Sequence, residues 1–147
     1  MEQQVSASKV SIFAPGEDAG IYSPGLRRWQ GISTVECTGS RVWAAWMAGG
    51  VKEPDPENHI VLAYSDDGGK SWVDPFLVID DKESESRGRD PVLWKNPAGK
   101  LFLFYAFSGD DFTNVLEIEN PGGNIRTISI GQPRAVFPKG MLLNKPI

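Results

Sequence analysis

The sequence predicts an all-β chain of the propeller type, on three observations. Its apolar runs are short, rich in β-branched and aromatic residues, and bounded by Gly, Pro, Asn or Asp, with little helical period. Its 16 Gly and 11 Pro residues are spread as punctuation, not gathered into a linker. Two stretches, ISTVECTGSRVWAAWMAGG and DPVLWKNPAGKLFLFYAFSG, share one layout of strand, Gly-bearing turn, long aromatic strand and Gly. Gly39 and Gly99 place them 60 residues apart. All-β repeats of roughly 40–50 residues, each of about four strands, are the mark of a propeller, so the chain holds about three blades.

The elements follow in order. Residues 9–14 (KVSIFA) read as a strand. Residues 31–37 alternate, with Ile32, Thr34 and Glu36 on one face and Ser33, Val35 and Cys37 on the other. Residues 38–40 turn the chain into an aromatic strand at 41–48. Residues 59–65 (HIVLAYS) are nearly all apolar, as in a strand buried on both faces. Strands are also expected at 76–80, 90–96, 100–108, 125–130 and 134–137, with a turn at 97–99.

Composition excludes several functions. The net charge is −4, and only Arg27–Arg28 and Arg87/Arg89 bring cations together, so no nucleic-acid surface is expected. No run approaches the roughly 20 apolar residues of a membrane helix. The start MEQQVSASKV has no signal-peptide pattern, which points to the cytoplasm if that start is native. Cys37 is the single cysteine and is expected to be a small buried hydrophobe. His59 is the single histidine, with no His or Cys at ligand spacing, so neither metal nor cofactor is expected. The run from Asp80 to Ser86 mixes charges like a solvated loop. Most of the five tryptophans lie among apolar strand residues and are expected in the core. Trp29, between Arg28 and Gln30, is the exception.

The stretch YSDDGGKSW (64–72) needs its own account. As a Walker A loop it fails, because Tyr64 stands where the first glycine belongs. As a calcium loop it fails, because neither Asp66 nor Asp67 as first ligand puts Gly sixth and Glu twelfth. As a hairpin turn it works. Asp67 accepts from backbone N–H groups, Gly68 and Gly69 take positive φ, Ser65 and Ser71 tie further groups, and Trp72 folds over the turn and is buried.

That stretch matches S-x-D-x-G-x-[ST]-W in full and resembles the Asp box, or BNR repeat, of the sialidase (neuraminidase) superfamily. RRWQGIS, RVWAAW, PENHIVLAYSDDGGKSW and RDPVLW extend the resemblance over residues 26–108, and MLLNKPI extends it faintly over 140–147. The resemblance implies a six-bladed propeller. Residues 1–25 would be an N-terminal strand and lead-in, 26–80 the first Asp-box blade, 81–139 a second blade region, and 140–147 the start of a further blade. The chain is then expected to be the N-terminal part of a larger protein. Its open faces would meet the remaining blades or a second copy.

The implied activity is a glycoside hydrolase acting on terminal sugars of glycans, inactive as this piece alone. Two family positions depart. Gly31-Ile32-Ser33 stands where an Arg-Ile-Pro motif supplies a substrate arginine, and Ala48 stands at the usual acid. Glu53, Asp55 and Glu57 follow on the next loop. By the resemblance, Asp90 and Glu57 are the catalytic candidates. Arg28, Gln30, Asn58, Arg89, Asn144 and Lys145 are the sugar-binding candidates. Ser65, Asp67, Gly69, Ser71 and Trp72 build the structural turn. Plainer roles stand beside these: Asp90 as a cap before Pro91, Glu57 and Asn58 as turn residues, Arg89 as a solvated charge. The alternative function is a non-catalytic carbohydrate-binding propeller module.

Overall fold

The computed structural model describes residues 9–81, 86–138 and 145–146. They form two antiparallel sheets with short 3-10 turns and no α-helix among the described residues. The chain is all-β.

The first sheet contains β1 (Val10–Ile12), β2 (Gln30–Thr38), β3 (Arg41–Ala48), β4 (His59–Ser65) and β5 (Val73–Ile79). Its order is β1-β5-β4-β3-β2. Four strands follow one another as a meander. β1 then adds a fifth on the outside, with Val10 opposite Ile79. The expected four-stranded unit is therefore extended by the lead-in.

The second sheet contains β6 (Gly88–Lys95), β7 (Leu101–Phe107), β8 (Phe112–Glu119), β9 (Ser129–Ile130) and β10 (Arg134–Pro138). β9 and β10 both pair with β8, on the side away from β7. β8 was not among the expected strands. The expected strand 125–130 is also corrected. Ile125–Thr127 is a 3-10 turn whose Asn124 side chain accepts from Arg126 N at 2.9 Å, and only Ser129–Ile130 pairs.

The two sheets share one core, to which Ile60, Leu62 and Ile79 of the first and Leu93, Leu103 and Phe107 of the second contribute. Gly88 lies at a close approach of the two sheets: a Cβ there would lie 3.2 Å from both Ile60 Cγ1 and the Ile79 carbonyl. Trp43 is fully buried and donates from Nε1 to Thr38 Oγ1 at 2.9 Å and to the Pro121 carbonyl at 3.2 Å. Arg41 grips Asp66 with two bonds and reaches the carbonyls of Pro121 and Gly123. These contacts tie the turn after β8 to the first sheet.

β2 and β6 are sheet edges that face one another, and an edge strand needs partners for its free backbone groups. Side chains supply them. Thr34 Oγ1 accepts from Leu93 N at 3.1 Å, and Glu36 accepts from Lys95 N at 3.3 Å. Lys95 and Lys145 donate to the carbonyls of Cys37 and Val35. The polar face of β2 therefore turns inward. Val35 and Cys37 are exposed on the other face, which corrects the expected buried cysteine.

The turn after β4 closes on itself as expected. Ser65 Oγ donates to Asp67 Oδ1 at 2.8 Å and accepts from Gly69 N at 2.9 Å. Ser71 donates to Asp67 through both its N–H and its hydroxyl. Gly68 and Gly69 have φ of 72° and 90°. Trp72 donates to the Gly69 carbonyl at 3.0 Å but remains 41% exposed, so its ring is not buried as expected.

The Ser71 hydroxyl and N–H, then the Ser65 hydroxyl, hold the Asp67 carboxyl at about 2, below its usual 3.8. A lowered folded pKa stabilises above the unfolded value and is lost as pH falls through the folded one. The stability difference between the wild type and Asp67→Asn should be full above about pH 4 and shrink toward pH 2. Urea midpoints at successive pH values check this. A gap independent of pH would contradict it.

Candidate functional site

The antiparallel order brings one end of every inner element together. Gln30 pairs with Ala48, and Ala48 pairs with His59. Gly88 opposes Phe107 in the second sheet. Arg28, Gln30, Glu57, Asn58, Arg89 and Asp90 therefore all lie at the same end of the two sheets, where β2, β4 and β6 begin.

Asp90 has the most unusual backbone of these. Its φ is 54°, inside a register shift between Arg89 and Val92. Ile32 has φ of 55° inside the matching shift of β2. Both strands thus carry a bulge with a left-handed non-glycine residue at the same place in the internal repeat. The Asp90 N–H donates to Met47 Sδ at 3.4 Å. Its side chain is 25% exposed, with Arg89 Nη1 4.0 Å from Oδ2. Arg89 Nε is buried without a hydrogen-bond partner.

Arg28 is exposed. Gln30 accepts from Trp46 Nε1 at 3.0 Å, which fixes that indole. The Trp29 ring closes over Gly31, since a Cβ on Gly31 would sit 3.1 Å from Trp29 Cζ2. Ala48 is fully buried.

The loop from Gly49 to Asn58 is held by its own side chains. Asn58 is fully buried and donates to the carbonyls of Gly49 at 2.8 Å and Lys52 at 3.1 Å. Its Oδ1 accepts from Asp55 N at 2.9 Å. Asp55 accepts from Val51 N and Glu57 N. Glu53 reaches the second sheet and pairs with Arg87 at 2.7 Å. Asn58, expected to bind sugar, is a clasp with its donors and acceptor engaged.

Glu57 lines a cleft of about 420 Å³ with Ile21, Tyr22, Leu26, His59, Asp80 and Asp81, and neither Asp90 nor Arg89 is part of its wall. The two candidate carboxylates do not share that cavity. Burial lowers the His59 pKa, and its Nδ1 lies 3.0 Å from the Glu57 carbonyl. Tyr22 donates to Asp80 at 2.7 Å, and burial together with that carboxylate pushes its pKa up.

Lys145 pairs with Glu36 at 2.8 Å and caps the edge of β2. Burial works against the Glu36 carboxylate, but Lys145 and the Lys95 N–H outweigh it and lower its pKa. Asn144 lies outside the described residues.

Sequence reasoning missed a polar group at the same end of the second sheet. Tyr105 is buried, and its hydroxyl has no hydrogen-bond partner. It stands opposite Asn114, which is fully buried. Burial raises the pKa of Asp110, and nearby Lys9 opposes that rise. Polar residues inside the run TNVL were the available signal. Among the described residues no group of three or more His, Cys, Asp or Glu is placed to hold a metal ion, and no helix is long and apolar enough to cross a membrane. No family model matches the chain, and no curated protein matches it.

Proposed function

We propose that the chain is the N-terminal part of a sialidase-like, carbohydrate-active six-bladed propeller, in which the two sheets are the first blades. In this reading a terminal sugar of a glycan meets the end where β2 and β6 begin. Asp90 is the acidic group that works on it, and Arg89 and Arg28 contribute to its binding. The observation that carries the reading is the left-handed Asp90 beside Arg89 at the mouth of β6. Non-glycine residues held in that backbone region cluster at functional sites, and a bulge re-aims the side chain off the ladder. The self-closed Asp-box turn supports the same family on sequence and geometry together.

Carboxylate-based glycoside hydrolysis needs two carboxyl groups across the sugar ring. Asp90 supplies one, and its partner comes from later blades of the natural polypeptide. A second reading, a sugar-binding module without hydrolysis, draws on Trp29 over Gly31 and on buried Ala48.

The test is turnover of fluorogenic glycosides of varied terminal sugars by the full natural polypeptide. Asp90→Asn should lower kcat by roughly 10²-fold or more with an unchanged unfolding midpoint. Unchanged turnover removes Asp90 from the reaction. Glycan binding with no hydrolysis of any glycoside supports the module.

A further inference from the structure

The cleft beside Glu57 is lined with hydrogen-bond acceptors. Glu57 is an exposed residue at the cleft wall. Asp80 accepts one bond from Tyr22, and a carboxylate has room for about four. Asp81 adds a third carboxylate, ion-paired with Lys9 at 3.1 Å. His59 adds a neutral acceptor. Its Nδ1 faces the Glu57 carbonyl, which can only accept, so Nδ1 carries the proton and Nε2 keeps its lone pair. Nε2 is buried with no hydrogen-bond partner, and the residue is only 4% exposed. A buried acceptor left without a donor is costly, and His59 is one of the residues that line the cleft.

One side of the described lining is apolar. Ile21 and Leu26 are exposed large hydrophobic residues, and Pro56 completes that side. Two nearby cations are engaged elsewhere. Arg27 holds Asp74 and the Tyr22 carbonyl, and Lys9 holds Asp81. Among the described residues of the lining an anion would meet carboxylates and no cation. A neutral alcohol would satisfy His59 but leave Glu57 and Asp80 without charge compensation.

We propose that this cleft binds a small organic cation, an ammonium group on a short apolar body. Its N–H donors go to Glu57, Asp80 and His59 Nε2, and its body lies on Ile21 and Leu26. A free amine and a lysine side chain of a peptide share that chemistry.

His59 is the only histidine, so its ring resonances give a single-site readout by NMR. The probes are n-butylammonium, n-butanol, butyrate and a capped lysine amide, titrated at fixed pH. The ammonium should shift the His59 resonances saturably, butanol should bind roughly tenfold more weakly, and butyrate should give no saturable shift. Glu57→Gln should weaken ammonium binding by roughly fivefold or more. Leu26→Ser, an exposed position, should weaken it while keeping the preference for cation over anion. Tighter binding of the capped lysine assigns a peptide source, and tighter binding of butylammonium assigns a free amine. No saturable response to the ammonium, an equal response to butyrate, or full affinity in Glu57→Gln would overturn the proposal.

Discussion

Trp43→Ala is expected to lower the unfolding free energy by about 3–5 kcal/mol, the usual cost of removing a large buried aromatic side chain. The indole sits where Tyr64 and Phe76 meet, with ring centroids 5.5 and 5.6 Å away. Its removal opens a void between strands that cannot close without moving β3. Its N–H matters less. The Pro121 carbonyl keeps Thr38 Oγ1 at 3.1 Å and Arg41 Nη1 at 3.2 Å as donors. Trp43→Phe should therefore recover most of the loss. Urea unfolding of both variants separates the two contributions, and equal losses would mean that the hydrogen bond dominates over packing.

Asn58→Ala should cost about 3 kcal/mol, because buried polar groups left unpaired cost about 1–3 kcal/mol each. The carbonyls of Gly49 and Lys52 lose their donor and Asp55 N loses its acceptor. Amide exchange over residues 49–58 should quicken along with the loss of stability. Asn58 was a sugar-binding candidate, and this measurement separates the roles. A variant with wild-type stability but weakened glycan affinity would restore it to the sugar site.

The strands legible in sequence were those with a single apolar signal. HIVLAYS reads as doubly buried and is buried at every position. β8 escaped because Thr113 and Asn114, both polar and both buried, interrupt its pattern. Residues 125–130 look like one strand by composition. Asn124 caps a 3-10 turn in their first half, and local capping wins over β propensity there. The inward face of β2 was hidden for a different reason. Thr34 and Glu36 face the second sheet to serve the free edge of β6, a demand that no single strand discloses.

The candidate site was legible as a neighbourhood and not as a set of contacts. The sialidase resemblance singled out Arg28, Gln30, Glu57, Asn58, Arg89 and Asp90 one by one, and the structure puts all six at one end of the sheets. Spacing could not reveal that Asn58 is consumed by its own loop, or that Glu57 and Asp90 do not share the Glu57 cleft. The role of His59 was equally hidden, because it depends on residues 21 to 26 folding back over the start of β4.

The placement of β1 sets a folding order. β2 to β5 join through successive hairpins, each closing a short loop. Val10 must instead wait for Ile79, 69 residues later. The loop-closure entropy for that pairing is larger, so the meander forms first and β1 docks last. During synthesis the leading segment leaves the ribosome long before β5 exists to receive it. Until then β5 presents an open edge, and the seam between β1 and β5 is where a neighbouring chain would most readily exchange strands.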